Sequence, residues 1–136
     1  DSYGSRGLGD VYKRQEVICK FGNKEILDRP NYLTVQIGDS QHIMLDPEYL
    51  HYINHSCSPN VFFDTENMVL IALRNIEIGE EFTFFYPSTE WSMDRGFDCI
   101  CQSENCLGYI QGAAHLPLNV LTKYELSDYI KQKLGI

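Results

Sequence analysis

Three closely spaced cysteines constrain this chain more than any other feature of its sequence. Cys99, Cys101 and Cys106 form a Cys-x-Cys-x4-Cys loop, which brings three sulfur atoms close together. A structural zinc ion takes four ligands at about 2.3 Å, so such a loop must obtain one more ligand from elsewhere in the chain. Two alternatives remain open at this point: cysteines that only fill a core, and a redox pair. The spacing favours an irregular, metal-binding segment.

The total number of cysteines indicates a reducing environment. The chain has five cysteines, which cannot all pair, and it shows no pattern typical of a secretory signal. Disulfide frameworks use even numbers of cysteines and occur in oxidising compartments. We therefore expect an intracellular protein, nuclear or cytoplasmic, with free thiols. Cys19 lies in an apolar run and is expected to be a buried, inert thiol.

The charge of the chain limits the class of partner. Its 136 residues suffice for one domain with a core, and 11 basic against 19 acidic residues give a net charge of −8. Direct nucleic-acid binding requires basic surfaces and is not expected, whereas a basic peptide or protein suits this charge. No apolar run has the roughly 18 residues of a membrane span, so no membrane contact is expected.

Short β-branched and aromatic runs predict most of the secondary structure. Strands are expected at residues 17–21, 32–37, 61–63, 69–73 and 81–86, and residues 43–45 form a further short apolar piece. A helical turn is expected after Asp46-Pro47, and a short C-terminal helix is expected between a capping Ser127 and a terminating Gly135. Together these elements predict an α+β domain that is mostly β.

Three motifs together resemble those of SET-domain protein-lysine methyltransferases with a post-SET zinc loop. The stretch NHSCSPN at residues 54–60 resembles the family signature NHSCxPN. The stretch EIGEEFTFFY at residues 77–86 resembles its second signature, and the cysteine loop resembles the post-SET loop. All three occur in the family's order. The resemblance implies a SET-type fold, in which small sheets of short strands meet at a knot-like crossing.

The resemblance also implies the missing metal ligand. In the family, the cysteine of NHSC joins three post-SET cysteines on one zinc ion. Carried over to this chain, the ligands are Cys57, Cys99, Cys101 and Cys106. A site closed by four thiolates leaves no open position, so its zinc would be structural.

The implied activity is the S-adenosylmethionine-dependent transfer of methyl groups to a lysine side chain of a protein. Tyr86 matches the catalytic tyrosine, and its hydroxyl would orient the lysine amine or the methyl group. Phe84 and Tyr32 match positions of the substrate channel, and Phe84 implies capacity beyond monomethylation. Asn54, His55 and Phe97 match positions that hold the cofactor.

The reaction requires a neutral amine, which explains the need for an apolar channel. Starting from a lysine pKa near 10.4, deprotonation at pH 7 costs about 4.6 kcal/mol. An apolar, aromatic environment disfavours the ammonium form and lowers this cost. Residues 82–91 concentrate aromatic side chains that suit such a wall, although the same stretch alone would fit a buried strand.

The resemblance divides the chain into four parts. Residues 1–15 are expected to be a non-native leader, 16–90 an N-terminally abbreviated SET domain, 91–112 the post-SET zinc loop, and 113–136 a C-terminal extension with a helix. The family's cofactor-contacting Gly-x-Gly segment has a counterpart only at residues 7–9, inside that leader. An alternative therefore stays open: a catalytically inert, zinc-stabilised SET-like module that binds a basic peptide or protein, such as a histone tail.

Overall fold

The computed structural model describes residues 11–136, so the Gly-x-Gly segment at residues 7–9 lies outside the described residues. The strands are β1 (Val17–Lys20), β2 (Gly22–Leu27), β3 (Val35–Gly38), β4 (Gln41–Asp46), β5 (Asn54–His55), β6 (Val61–Asp64), β7 (Val69–Ala72), β8 (Thr83–Phe84), β9 (Phe97–Asp98) and β10 (Tyr109–Ile110). The α-helices are α1 (Leu118–Leu121) and α2 (Asp128–Leu134), and short 3-10 helices span Glu48–Tyr52, Tyr86–Ser88 and Ala113–His115. This composition confirms the predicted α+β, mostly β class.

The strands form four small sheets. Two are antiparallel three-stranded sheets with the orders β1-β7-β6 and β2-β4-β3, and β9 pairs with β10. The fourth sheet joins β5 and β8 in parallel, with Asn54 opposite Thr83 and His55 opposite Phe84. A parallel pair requires a long connection, and here residues 56–82 supply it. The two signature motifs therefore lie side by side.

Two apolar clusters lie on either side of this parallel pair. The first cluster fills the space between the two three-stranded sheets and includes Phe63 and Phe84. The second cluster is built by Phe85 together with the C-terminal segment, including Leu121 and Ile130. Phe84 and Phe85 enter different clusters because successive side chains of an extended segment point in opposite directions.

The segment just before β1 packs against the domain. Tyr12 is fully buried and exchanges backbone hydrogen bonds with Ile76, of 3.0 and 2.8 Å. The Gln15 N–H donates to the Ala72 carbonyl at 2.7 Å, and the Tyr12 ring contacts Phe82 edge to face. Tyr12 thus contributes to the core, while the non-native origin of residues 1–15 stays a prediction.

Turn hydrogen bonds explain why two predicted strands are shorter than expected. The strand predicted from residue 32 begins only at Val35, because the Asn31 side chain accepts from the Leu33 N–H and Thr34 closes the same turn. The strand predicted at residues 81–86 is reduced to Thr83–Phe84, since the chain enters a 3-10 helix at Tyr86.

The C-terminal helix has the predicted boundaries. The Ser127 hydroxyl accepts a hydrogen bond from the Ile130 N–H at 3.2 Å, and Gly135 ends α2 in a left-handed conformation with φ of 74°. No helix within residues 11–136 is long and apolar enough to cross a membrane.

Candidate functional site

Four sulfur atoms converge at one end of the domain. The sulfurs of Cys57, Cys99, Cys101 and Cys106 all lie within 4.8 Å of one another, and those of Cys57 and Cys99 are 3.9 Å apart. Tetrahedral zinc with sulfur ligands at about 2.3 Å places them about 3.8 Å apart, so this cluster could hold a metal ion. Cys19 lies away from the cluster, in β1 opposite Leu70, where partial burial raises the pKa of its thiol.

Several distant parts of the chain hold Cys57 in the cluster. Cys57 is buried in the turn after β5, and its sulfur accepts a hydrogen bond from the Leu107 N–H at 3.3 Å. Its carbonyl accepts from the Asn105 amide at 2.8 Å and from the Tyr124 hydroxyl at 2.7 Å. The cysteine loop and the C-terminal segment therefore both bind the NHSCSPN turn.

His55 connects the thiol cluster to Tyr86. Its Nδ1 accepts a hydrogen bond from the Tyr86 N–H at 3.1 Å, so the ring hydrogen must be on Nε2, which lies 3.5 Å from the Cys57 sulfur. Burial lowers the pKa of His55 to about 4, so its imidazole is neutral at neutral pH. The imidazole therefore lies between the Cys57 sulfur and the Tyr86 backbone and helps to fix the position of both.

Tyr86 is held as a protonated phenol. Its hydroxyl donates to the Ile53 carbonyl at 3.3 Å, and its ring lies 4.6 Å from the Phe84 ring and 5.7 Å from the Phe97 ring between centroids. Burial, together with the nearby Glu90 carboxylate, raises its pKa above the ordinary value. Tyr86 can therefore orient a reacting group by hydrogen bonding but cannot act as a strong base near pH 7.

A cavity of about 440 Å³ opens beside Tyr86. Six residues are predicted for the catalytic, substrate-channel and cofactor positions, and four of them line this cavity. They are Phe84, Tyr86, Phe97 and Tyr32, whose side chain is 91% exposed. The other two, Asn54 and His55, are not among the described residues that line this cavity. Asn54 is exposed at the start of β5, and the His55 ring packs against the rings of Phe85, Tyr86 and Phe97.

The cavity also contains polar residues that sequence reasoning did not single out. Glu90 lines it, and burial raises the pKa of this carboxyl to about 7, although hydrogen bonds from Gln36 and Thr89 oppose the shift. His42 and His51 line it as well. For Glu90, the only signal in the sequence is its position four residues after Tyr86.

Comparison with known proteins assigns the family. Residues 10–87 match the family described as SET domain. Methyltransferase flvH of Aspergillus flavus is 42% identical over 109 residues, which cover 79% of this chain and 61% of that protein. An H3 lysine-36-specific histone-lysine N-methyltransferase of Mycosarcoma maydis is 32% identical over an alignment of 157 positions, gaps included, which covers 98% of this chain and 15% of that protein.

A third relative matches a shorter segment. An H3 lysine-4-specific histone-lysine N-methyltransferase of Emericella nidulans is 39% identical over 66 residues, which cover 43% of this chain and 5% of that protein. In each of the three comparisons, the match spans less than two thirds of the relative's length. The family match covers more than half of this chain and includes both signature motifs, so the chain belongs to the SET domain family.

Proposed function

We propose that this protein transfers methyl groups from S-adenosylmethionine to the side-chain amine of a lysine in a protein substrate. The observation that carries the proposal is the placement of Tyr86 and Phe84 in the wall of a cavity that opens to solvent near Tyr32. Membership of the SET family and the methyltransferase names of its relatives support the same activity.

The residues of the cavity suit a lysine side chain. Phe84 is 8% exposed and packs edge to face against Phe63, so the inner wall is apolar and can disfavour the charged ammonium. Tyr86 would hold the amine in line for transfer by hydrogen bonding, which lowers the entropic barrier to reaction. Tyr32, at the mouth of the cavity, would contact the substrate as it enters.

The cofactor would bind on the side of Tyr86 that faces β5 and β9. S-adenosylmethionine supplies the methyl group as an activated sulfonium. Phe97 would pack against its adenine, and Asn54 and His55 would hold it mainly through their backbone and amide groups. The Phe97 and His55 rings already lie 5.6 Å apart, so these groups form one continuous surface.

A zinc ion in the thiol cluster would have a structural role. With Cys57, Cys99, Cys101 and Cys106 as ligands the site is closed, and the metal would fasten residues 91–112 to the SET domain of residues 16–90. The extension of residues 113–136 supports it through the hydrogen bond between Tyr124 and the Cys57 carbonyl.

The substrate is proposed to be a basic protein segment, for which a histone tail is one candidate. Two relatives are named for lysines of histone H3. The net charge of −8 also favours association with a basic peptide. A histone substrate would place the protein in the nucleus, and other lysine-bearing substrates would be compatible with the cytoplasm.

Methyl transfer to histone peptides, measured by mass spectrometry, tests the proposal. Tyr86→Phe removes the orienting hydroxyl and is expected to reduce kcat by roughly 100-fold. The matched control is Tyr52→Phe, because Tyr52 is 64% exposed and does not line the cavity. Unchanged turnover in Tyr86→Phe would reject the role of Tyr86. A wild-type chain that neither binds S-adenosylmethionine nor transfers methyl groups would indicate the inert, peptide-binding module instead.

A further inference from the structure

Glu90 occupies an unusual position for a carboxylate, since it lines the apolar cavity that also contains Tyr86. It follows the 3-10 helix at Tyr86–Ser88, and Thr89 joins the two residues: its hydroxyl lies 3.5 Å from the Tyr86 carbonyl and 2.7 Å from Glu90 Oε2. The charge of Glu90 also influences the ionisation of Tyr86. Glu90 and Tyr86 therefore line the same cavity close enough for the charge of one to affect the other.

The orientation of the Glu90 carboxylate is fixed through one of its two oxygens. Oε2 accepts hydrogen bonds from the Gln36 N–H at 2.9 Å and from the Thr89 hydroxyl at 2.7 Å. Gln36 is 7% exposed, and its own side chain accepts from the Trp91 N–H and donates to the Gly38 carbonyl. The second oxygen, Oε1, accepts no hydrogen bond from residues 11–136.

Glu90 has no cationic partner in the described part of the chain. The ion pairs among residues 11–136 join Lys24 with Glu48, Arg74 with Glu80, and Lys133 with Asp39. Glu90 is half-buried, and loss of solvent raises the pKa of its carboxyl to about 7, so a negative charge without a counterion is costly there. A positively charged group that enters the cavity would compensate for this cost.

We propose that Glu90 binds the ammonium group of the substrate and then accepts its proton, which prepares a neutral amine beside Tyr86. This inference rests on the proposed methyl transfer to an amine. The class of ligand is an alkylammonium ion on an apolar stem, because apolar side chains such as Leu50, Phe63 and Phe84 line the cavity beside its polar and charged residues.

The proton transfer is balanced within this pair of groups. One N–H bond of the ammonium breaks, its electron pair stays on nitrogen as the lone pair needed for attack, and an O–H bond forms on Glu90. The ion pair is the state in which the ligand binds, and partial burial makes the neutral pair less costly to reach from it than in water, because burial raises the carboxyl pKa and lowers that of the amine. The proton can later return to water through the open mouth of the cavity.

Other ionisable groups also line the cavity or interact with Glu90. They are Tyr32, His42, His51, Tyr86, Asp94, Arg95 and Tyr129. Asp94 is the matched acidic control, since it lines the same cavity but is exposed to solvent. If only the negative potential of the cavity attracts the ligand, neutralising either acid should weaken binding. A specific ammonium site should be weakened only when Glu90 is neutralised.

A binding experiment without cofactor tests the ammonium site directly. The probes are N-acetyl-lysine N-methylamide and its norleucine counterpart, which lacks the ammonium, and binding is measured by NMR titration of the full zinc-loaded chain. The wild type should prefer the lysine probe, and Glu90→Gln should reduce this preference about tenfold. Asp94→Asn should retain it. An unchanged preference in Glu90→Gln, or an equal loss in Asp94→Asn, would overturn the proposal.

The wild-type chain offers a second measurement that does not depend on a variant folding. The lysine probe should lower the pKa of the Glu90 carboxyl, observed by carbon-13 NMR, because a nearby ammonium favours the carboxylate. The norleucine probe should not. If the pKa of the Glu90 carboxyl is the same with and without the lysine probe, the assignment is contradicted.

Kinetics then separate this inference from the proposed function. Only the carboxylate form of Glu90 can take up the ammonium, so kcat/KM of the wild type should fall as the pH falls through about 7. Glu90→Gln should lose this acidic limb and turn over more slowly at pH 7. Methyl transfer that is identical in wild type and Glu90→Gln would refute the role of Glu90 but leave the function standing. Lysine-selective binding without any methyl transfer would support the ammonium site at Glu90 but contradict the proposed function.

Discussion

Asn60 shows how one side chain can hold the two signature motifs together. It is 1% exposed, its Oδ1 accepts from the Thr83 N–H at 2.7 Å, and its Nδ2 donates to the Glu81 carbonyl at 2.7 Å. The last residue of NHSCSPN is thus bound directly to the backbone that leads to Tyr86. The buried amide of Asn60 thus supplies one acceptor and one donor to the backbone, as a neighbouring strand would.

Asn60→Ala should therefore destabilise the fold. It leaves the Thr83 N–H and the Glu81 carbonyl without their side-chain partner, and each such loss costs about 1–3 kcal/mol. We therefore expect the free energy of unfolding to fall by roughly 2–4 kcal/mol. Denaturation in urea measures the change. The control Asn23→Ala alters an exposed side chain and should stay within about 0.5 kcal/mol. Equal stability of the two variants would contradict this role of Asn60.

Functional residues that belong to sequence motifs could be predicted from the sequence, and those outside the motifs could not. Tyr86 and Cys57 stand in recognisable signatures, and the structure places them at the cavity and in the thiol cluster. Glu90 lies outside both signatures, and only the tertiary structure brings Gln36 to its carboxylate. The environment of such a residue depends on contacts more than fifty residues apart, which local patterns do not encode.

Among the elements, helix α2 depends on its cap. The helix has only seven residues, too few to be stable alone, and it is held by the buried Ile130 and by the Tyr129 hydroxyl, which donates to Asp39 at 2.7 Å. Its Ser127 cap also donates its backbone N–H to the Ser88 carbonyl, next to the site. The helix is thus part of the support of the cavity.

Ser127→Ala should weaken this support. Loss of the side-chain acceptor for the Ile130 N–H is expected to lower the free energy of unfolding by about 1–2 kcal/mol. Hydrogen exchange of the α2 amides should accelerate together with this loss. The exposed Ser40→Ala serves as control, with a change within about 0.5 kcal/mol. Unaltered exchange in Ser127→Ala would show that the cap does not stabilise α2.

Elements with alternating apolar residues or clear caps could be predicted from the sequence, and polar edge strands could not. The strands at Val17–Lys20, Val61–Asp64 and Val69–Ala72 carry β-branched or aromatic residues and were expected. The strand Gly22–Leu27 was missed because most of its side chains are exposed and polar, so it depends on pairing with β4 rather than on propensity.

For the molecule as a whole, the thiol cluster joins the NHSCSPN turn to the loop of residues 91–112. If it holds zinc as proposed, removal of the metal should unfold the loop of residues 91–112 and loosen His55 and Tyr86. Structural zinc contributes about 10–16 kcal/mol to zinc-finger peptides, so Cys106→Ser should cost about 5 kcal/mol or more here.

Calorimetry and measurement of bound zinc check this prediction. Cys106→Ser should lose the metal and unfold at a lower temperature than the wild type, and a strong chelator should have the same effect on the wild type. Cys19→Ala is the matched control, since Cys19 lies outside the cluster, and it should retain one zinc per chain. A chain that is equally stable with and without chelator would contradict the structural role of the metal.

The distance along the chain between the four sulfurs has a consequence for biosynthesis. Cys57 is made 49 residues before Cys106, so the fourth sulfur is added last and the site cannot be complete until Cys106 has been synthesised. Binding of a metal by all four cysteines is therefore expected to be a late step of maturation, which follows synthesis of both signature motifs.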